Sequence, residues 1–206
     1  MTFSEAEARE FRSNLMQWFA AHQRDLPWRK TQDPYKIWVS EVMLQQTTVR
    51  AVIPYYERWI ELFPDIQTLS RAPLERVLKA WEGLGYYQRA KNLHQAARIV
   101  VSRFGGKLPN TEPELRRLPG FGPYTTAAVL SLAFGQPYPV LDANVRRVMM
   151  RLHRIKKKPG SSLDAELLGT LRSLISRQDP GRFNQALMEL GATLCGSRNP
   201  LCLLCP

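Results

Sequence analysis

The sequence predicts an all-α protein. Apolar residues recur at three- and four-residue spacing along most of its 206 positions. No run alternates apolar and polar residues over a useful length, so no sheet is expected. Glycines and prolines fall where helices should stop or start.

The elements follow in order. SEAEAREFRSNLMQWFAAH opens with Ser4 and Glu7 in capping-box spacing. Phe11, Leu15, Trp18 and Phe19 then line a helical face. DPYKIWVSEVMLQQT places Pro34 in a first helical turn, where its missing N–H costs nothing. VIPYYERWIELF is a third amphipathic stretch. APLERVLKAWEGLGYY should end at Gly83 and Gly85, which tolerate the left-handed conformation that stops a helix. QRAKNLHQAARIVVSRF should stop at Gly105 and Gly106. SLDAELLGTLRSLI and RFNQALMELGATL supply two later helices. The basic RIKKKPGSS, 154–162, reads as a surface connection. No internal repeat or low-complexity linker interrupts the chain.

Charge narrows the function. Twenty-nine Lys and Arg face eighteen Asp and Glu, a net +11. That excess suits a polyanionic partner, above all nucleic acid. A general solubility bias would give the same number. No apolar run approaches the ~18 residues of a membrane span. MTFSEAEAREF is too acidic for a signal or transit peptide. Three clustered cysteines are not a secreted disulfide framework, so a reducing compartment is expected.

The stretch TEPELRRLPGFGPYTTAAVLSLAFG, 111–135, carries a specific signal. Thr111 and Glu114 have capping-box spacing, predicting a short helix through PELRRL. Pro119, Gly120 and Gly122 break it, and Pro123 opens a second helix. Backbone N–H groups at the second helix's start favour a phosphate. Glycines would let a DNA backbone approach closely. An ordinary helix connection is the plain alternative.

Two carboxylates stand in unusual company. Glu41 lies among Trp38, Val39, Val42, Met43 and Leu44, so partial burial is expected. Burial makes a carboxyl a proton donor near neutrality. Asp142 in YPVLDANVRRV stands at a helix start, where its plain role is an N-cap. Its chemical role would be a carboxylate facing a developing cation. Glycosidic cleavage uses such a pair: an acid for the leaving group and a carboxylate for the sugar cation. Finally, Cys195, Cys202 and Cys205 have metal-ligand spacing. Two buried thiols, a zinc half-site or part of an iron–sulfur site would all read this way.

LPWR, DPYKIWVSEVMLQQT, WEGLGYY, LPGFGPYTTAAV, LDANVRRV and Cys-x6-Cys-x2-Cys occur here in one order. In that order they resemble adenine-specific mismatch DNA glycosylases of the MutY type, within the helix-hairpin-helix glycosylases. The likeness covers residues 8 to 206. It implies two helical domains flanking a DNA cleft. Residues 28–134 would form a six-helix domain holding the hairpin 111–133. Residues 1–27 and 135–206 would form a discontinuous domain with an iron–sulfur motif at 195–205.

The resemblance also implies roles. Glu41 would protonate a flipped adenine, and Asp142 would stabilise the sugar cation. Tyr124 and Asn144 would support them. Arg29, Leu44 and Tyr86 would surround the flipped base, and Gln46 would wedge into the stack. Thr47, Leu118, Gly120, Gly122 and Thr125 complete the implied base-pocket and DNA-binding set. Tyr86 is equally readable as a core aromatic and Gln46 as a surface amide. The partner would be double-stranded DNA carrying a mismatch or oxidised guanine, met by a monomer away from membranes. In a bacterium the protein would be cytoplasmic, at the nucleoid.

Relatives of endonuclease III type carry lysine where this chain has Tyr124. That amine forms a Schiff base with the sugar, which tyrosine cannot do. A base-removing, non-cleaving enzyme is therefore implied. Many adenine-specific members have glycine where Ala143 stands, and a thymine-removing branch shares Asp-Ala-Asn. An endonuclease III-like enzyme and a non-catalytic DNA-binding module are the other readings. The family's cysteine pattern is Cys-x6-Cys-x2-Cys-x5-Cys, for a [4Fe-4S] cluster. Its fourth cysteine would fall beyond residue 206, so a shortened chain that holds iron poorly is expected.

Overall fold

The computed structural model describes residues 3–158 and 160–206. Met1, Thr2 and Pro159 lie outside it, so parts of the acidic start and of the basic connection are not described. Among the described residues there are eleven α-helices and no strand, as the periodicity requires. Two units emerge: Met1–Arg24 with Gly135–Pro206, and Asp25–Phe134.

The Asp25–Phe134 unit contains α2 (Pro34–Met43), α3 (Val49–Leu62), α4 (Ile66–Arg71), α5 (Leu74–Trp81), α6 (Gln88–Phe104), α7 (Glu112–Leu115) and α8 (Pro123–Leu132). Three tryptophans, Trp38, Trp59 and Trp81, anchor its core, fully buried with Phe63 and Leu93. Trp59 meets Trp81 edge to face at 5.4 Å and Phe63 at 4.9 Å. Its indole N–H donates to the Tyr35 hydroxyl at 3.2 Å, which donates to the Phe63 carbonyl at 2.8 Å. The polar tips are thus satisfied inside the apolar core, and truncating one such ring costs about 3–5 kcal/mol.

α2 is buried nearly all round, with every residue from Ile37 to Met43 in the core. α3 and α8 both pack against it. The short α4, capped by the Asp65 carboxylate on the Thr68 N–H, is not anticipated by the periodicity. It packs on α6 and is too short to display a full period.

The other unit is built from α1 (Glu5–His22), α9 (Ala143–Leu152), α10 (Ser161–Leu174) and α11 (Pro180–Thr193). The Ser4–Glu7 capping box forms as expected. α11 packs against both α1 and α9, burying Leu15, Phe19, Phe183 and Leu187. Glu189 on α11 is fully buried and would be costly alone. Arg24 donates to it from Nε at 2.7 Å, Nη2 at 2.8 Å and its backbone N–H at 3.1 Å. Removing one partner of such a pair costs about 3–5 kcal/mol.

Two local expectations need correction. The Thr111–Glu114 capping box does not form: the Thr111 hydroxyl donates to the Glu114 carboxylate at 2.5 Å, and no side chain caps the backbone. The helix is one turn, Glu112–Leu115, rather than running to Leu118. From Arg116 the chain tightens into three-residue hydrogen bonds, Arg117 to Glu114 and Leu118 to Leu115, because Pro119 and Gly120 follow.

Candidate active site

Glu41 sits within the buried run of α2, only 4% exposed. The partial burial expected from its neighbours is in fact nearly complete. Asp33 caps the helix at the Tyr35 N–H, 2.9 Å away, and Pro34 sets its first turn. Packing around this run leaves Glu41 little exposed surface. A buried carboxyl needs a hydrogen-bond partner. The Tyr124 hydroxyl supplies it, donating to Glu41 Oε2 at 2.8 Å. Tyr124 is the second residue of α8, so the hairpin's second helix delivers this partner.

The hairpin itself is tightly built. Leu115, Leu118 and Phe121 are buried, and Phe121 packs on Trp38 at 5.2 Å. Leu118 can therefore offer DNA only its backbone. Thr125 is also buried, its hydroxyl accepting from Gln45 Nε2 at 3.1 Å. The Arg116 guanidinium donates to the Phe121 carbonyl at 3.0 Å and ties the turn to its incoming arm.

The two hairpin glycines differ. Gly120 has φ +83°, and a Cβ there would meet Asn92 Cβ at 3.1 Å. Glycine is required at Gly120 by the protein itself. Gly122 has φ −74°, caps α8 without any side chain, and would have open space around a Cβ. Among the described residues nothing asks for glycine there. An open, uncapped helix start is what an incoming anion needs.

A cavity of about 30 Å³ lies behind the turn, lined by Trp38, Val42, Gln45, Arg89, Asn92 and Gly120. It is far below the ~300 Å³ at which ligand pockets begin. It is not a base pocket.

In the other unit Asp142 caps α9, with Oδ1 accepting from the Val145 N–H at 2.7 Å. Oδ2 accepts from Asn144 Nδ2 at 3.0 Å. Asn144 Oδ1 accepts from Arg147 Nη2 at 2.8 Å. The same guanidinium donates to the Gly191 carbonyl at 2.7 Å and, from Nε, to the Cys195 carbonyl at 2.7 Å. The carboxylate is thus oriented on both oxygens. Close approach of α11 makes this possible: a Cβ at Gly191 would meet Asn144 Cβ at 2.6 Å and its carbonyl oxygen at 2.9 Å. Sequence reasoning missed Arg147. Its place one helical turn after Asn144 was the available signal.

The remaining predicted residues divide. Gln46 and Tyr86 are exposed, Tyr86 by 63%, so Tyr86 is not a core aromatic. Both have left-handed backbones, φ 55° and 48°. Leu44 ends α2 half-buried, and the Thr47 hydroxyl donates to the Gln45 carbonyl at 3.3 Å. Arg29 closes a single turn, Pro27–Arg29, whose Trp28 is buried on Tyr56.

Cys195 is half-buried, whereas Cys202 and Cys205 are exposed. Cys195 Sγ lies 3.3 Å from Arg151 Nη1. Desolvation, then the nearness of Cys195 and Cys202, pushes the Cys205 thiol up. Among the described residues no group of three His, Cys, Asp or Glu side chains is placed to hold a metal ion. A four-iron cluster takes four thiolates as a rule. Cys195, Cys202 and Cys205 are the thiols here that would contribute to such a cluster, which would supply structure rather than a reacting group.

The chain is 46% identical to the human adenine DNA glycosylase over 211 residues, covering 98% of this chain and 39% of that protein. It is 41% identical to the adenine DNA glycosylase of Buchnera aphidicola subsp. Baizongia pistaciae, covering 95% of this chain and 56% of that one. The chain thus spans roughly half or less of these relatives. Among solved structures it is similar to a thermostable thymine-DNA glycosylase, with TM-score 0.84 and 31% identity over 96% of this chain and 92% of that one. An endonuclease III–DNA complex shares the fold, with TM-score 0.82 at 24% identity over 100% and 94% of the two chains. The HhH-GPD pattern matches residues 39–172, across the buried Glu41, the hairpin and the capped Asp142, and the chain belongs to the HhH-GPD superfamily of base excision DNA repair proteins.

Proposed function

We propose that the chain is a monofunctional DNA glycosylase that removes adenine opposite guanine or 8-oxoguanine and leaves an abasic site. The observation that carries this is Glu41, a carboxyl buried in an apolar helix and held by the Tyr124 phenol. Adenine leaves poorly as an anion, so a ring nitrogen must take a proton as the C1′–N9 bond breaks. A carboxyl kept from water is suited to give that proton. The sugar becomes an oxocarbenium-like cation. Asp142, anchored by Val145 and Asn144, is the carboxylate that stabilises it until water adds to C1′. Water's second proton returns to a carboxylate, and free adenine and an abasic site result.

Tyr124 stands where a Schiff-base lysine would be needed for strand cleavage, and a phenol forms none. The hairpin's open N-terminus at Gly122 supports grip on a duplex phosphate without reading sequence. Gln46 and Tyr86, exposed on left-handed turns, are the side chains for extrusion of the base.

A second reading, thymine removal, draws on the near full-length likeness to the thymine-DNA glycosylase. Base release from duplexes holding A·G, A·8-oxoguanine and T·G separates the two. Adenine release from the first two, with thymine retained, is expected. Preferential release of thymine from T·G would overturn the adenine assignment.

A further inference from the structure

One guanidinium joins the two exposed turns. Arg89 Nη1 donates to the carbonyls of Val42 at 3.0 Å, Met43 at 2.9 Å and Gln45. Nη2 donates to Thr47 Oγ1 at 3.2 Å and to the carbonyls of Leu84 at 3.1 Å and Gly85 at 3.2 Å. The first group ends α2 and begins the Gln46 turn. The second reaches the turn that carries Tyr86. Trp81 adds its indole N–H to the Gly85 carbonyl at 3.0 Å. The guanidinium lies 5.2 Å from the Trp81 ring centre and 5.5 Å from that of Tyr86.

Part of this is helix chemistry: a cation on the last carbonyls of α2 satisfies orphan acceptors and the negative end of the dipole. A capping role alone would not extend to Leu84 and Gly85. The turns it links share a property. Each holds a non-glycine residue with positive φ, Gln46 at 55° and Tyr86 at 48°. Such backbones persist only where the surroundings over-determine them. Six acceptors on one rigid plane provide that determination. A lysine could not, because a single ammonium has three donors and no fork.

We infer that Arg89 is a positioning residue that holds the Gln46 turn and the Tyr86 turn as one edge, against which the target adenine is extruded. It touches neither base nor sugar, and the inference rests on the adenine-glycosylase reading. Its contribution is to extrusion rather than to DNA grip or to proton transfer.

The test compares the native chain with Arg89→Lys on an A·8-oxoguanine duplex and on one with 2-aminopurine replacing the adenine. Single-turnover adenine release at saturating DNA should fall roughly 10–100-fold, the size of an ångström-scale misplacement. The 2-aminopurine fluorescence rise should shrink in parallel, while the half-saturating DNA concentration stays within about threefold. Amide hydrogen exchange at 44–47 and 84–87 should quicken in the variant with the rest of the unit unchanged. Adenine release within about twofold of native, or exchange unchanged at both turns, would overturn the inference. So would binding and release falling together with a general rise in exchange, which marks mere stability. Failure of the native chain to release adenine would instead refute the underlying reading, and the Arg89 role with it.

Discussion

Glu41 and Asp142 carry the same functional group in opposite settings. Glu41 lies in the last turn of α2, in an apolar run, and has a phenol as partner. Asp142 lies at a helix start, half-exposed, held by a backbone N–H and an amide that is itself fixed by Arg147. The first is shut away from water; the second accepts two hydrogen bonds at an open helix start. The lesson is that the place of a carboxylate along the backbone sets its surroundings.

That comparison breaks most directly at the carboxylates. Glu41→Gln should cut single-turnover base release ~10²–10⁴-fold while DNA affinity persists, because the amide keeps the shape but is not an acid. Asp142→Asn should be comparably severe. Since Asn caps as well as Asp, its melting temperature should stay near native. A near-normal rate in Asp142→Asn would reduce Asp142 to a helix cap. A large loss of melting temperature would mean that cap and charge were not separated.

Next in size is the hairpin. Gly122→Asp has room for its side chain and supplies a good N-cap, so the fold should hold or gain slightly. The same carboxylate occupies the anion position. Affinity for all duplexes should fall about tenfold, and the salt slope of binding should drop by roughly one charge. Loss confined to one mismatch, seen by anisotropy titration, would point to base reading instead. Smaller still is Tyr124→Phe. Loss of one hydrogen bond to a carboxyl should slow release on the order of tenfold without new strand cleavage. An unchanged rate would leave Tyr124 as packing.

The mildest effect is on stability with pH. His94 is buried on α6, and desolvation first, then Arg98, hold its imidazole below the usual value of about 6.5. The folded state therefore binds this proton less readily than the unfolded state. Stability is fully present above about 6.5 and declines as pH falls through that value towards the lower folded one. Thermal melts of His94→Gln between pH 7 and 5 should show a shallower loss than native. An identical slope would remove His94 from the acid response.

Much of this was legible because it is local. Ser4 with Glu7 and Asp142 at its helix start are signals within four residues, and they form as expected. Glu41's burial followed from its apolar neighbours. What stayed hidden is long-range. Arg89 reaches acceptors up to 47 positions away, and Arg147 reaches Cys195 across 48. An arginine's spacing gives no sign of where its fork will land. The Thr111–Glu114 pair failed for a different reason: a one-turn helix ahead of Pro119 presents little backbone to cap. The split between Gly120 and Gly122 was equally invisible, because both are glycines in one turn and only φ and the surrounding space distinguish them.

The central claim is hydrolytic adenine removal by two carboxylates with no amine nucleophile at Tyr124. One reaction tests it most directly: the native chain on an A·8-oxoguanine duplex in the presence of borohydride, with free adenine and covalent protein–DNA complex both measured. The account predicts one adenine released per duplex, an intact strand until alkali is added, and no trapped complex. A trapped adduct would contradict it and send the search to a lysine such as Lys79 or Lys91. An unreleased adenine would contradict it altogether.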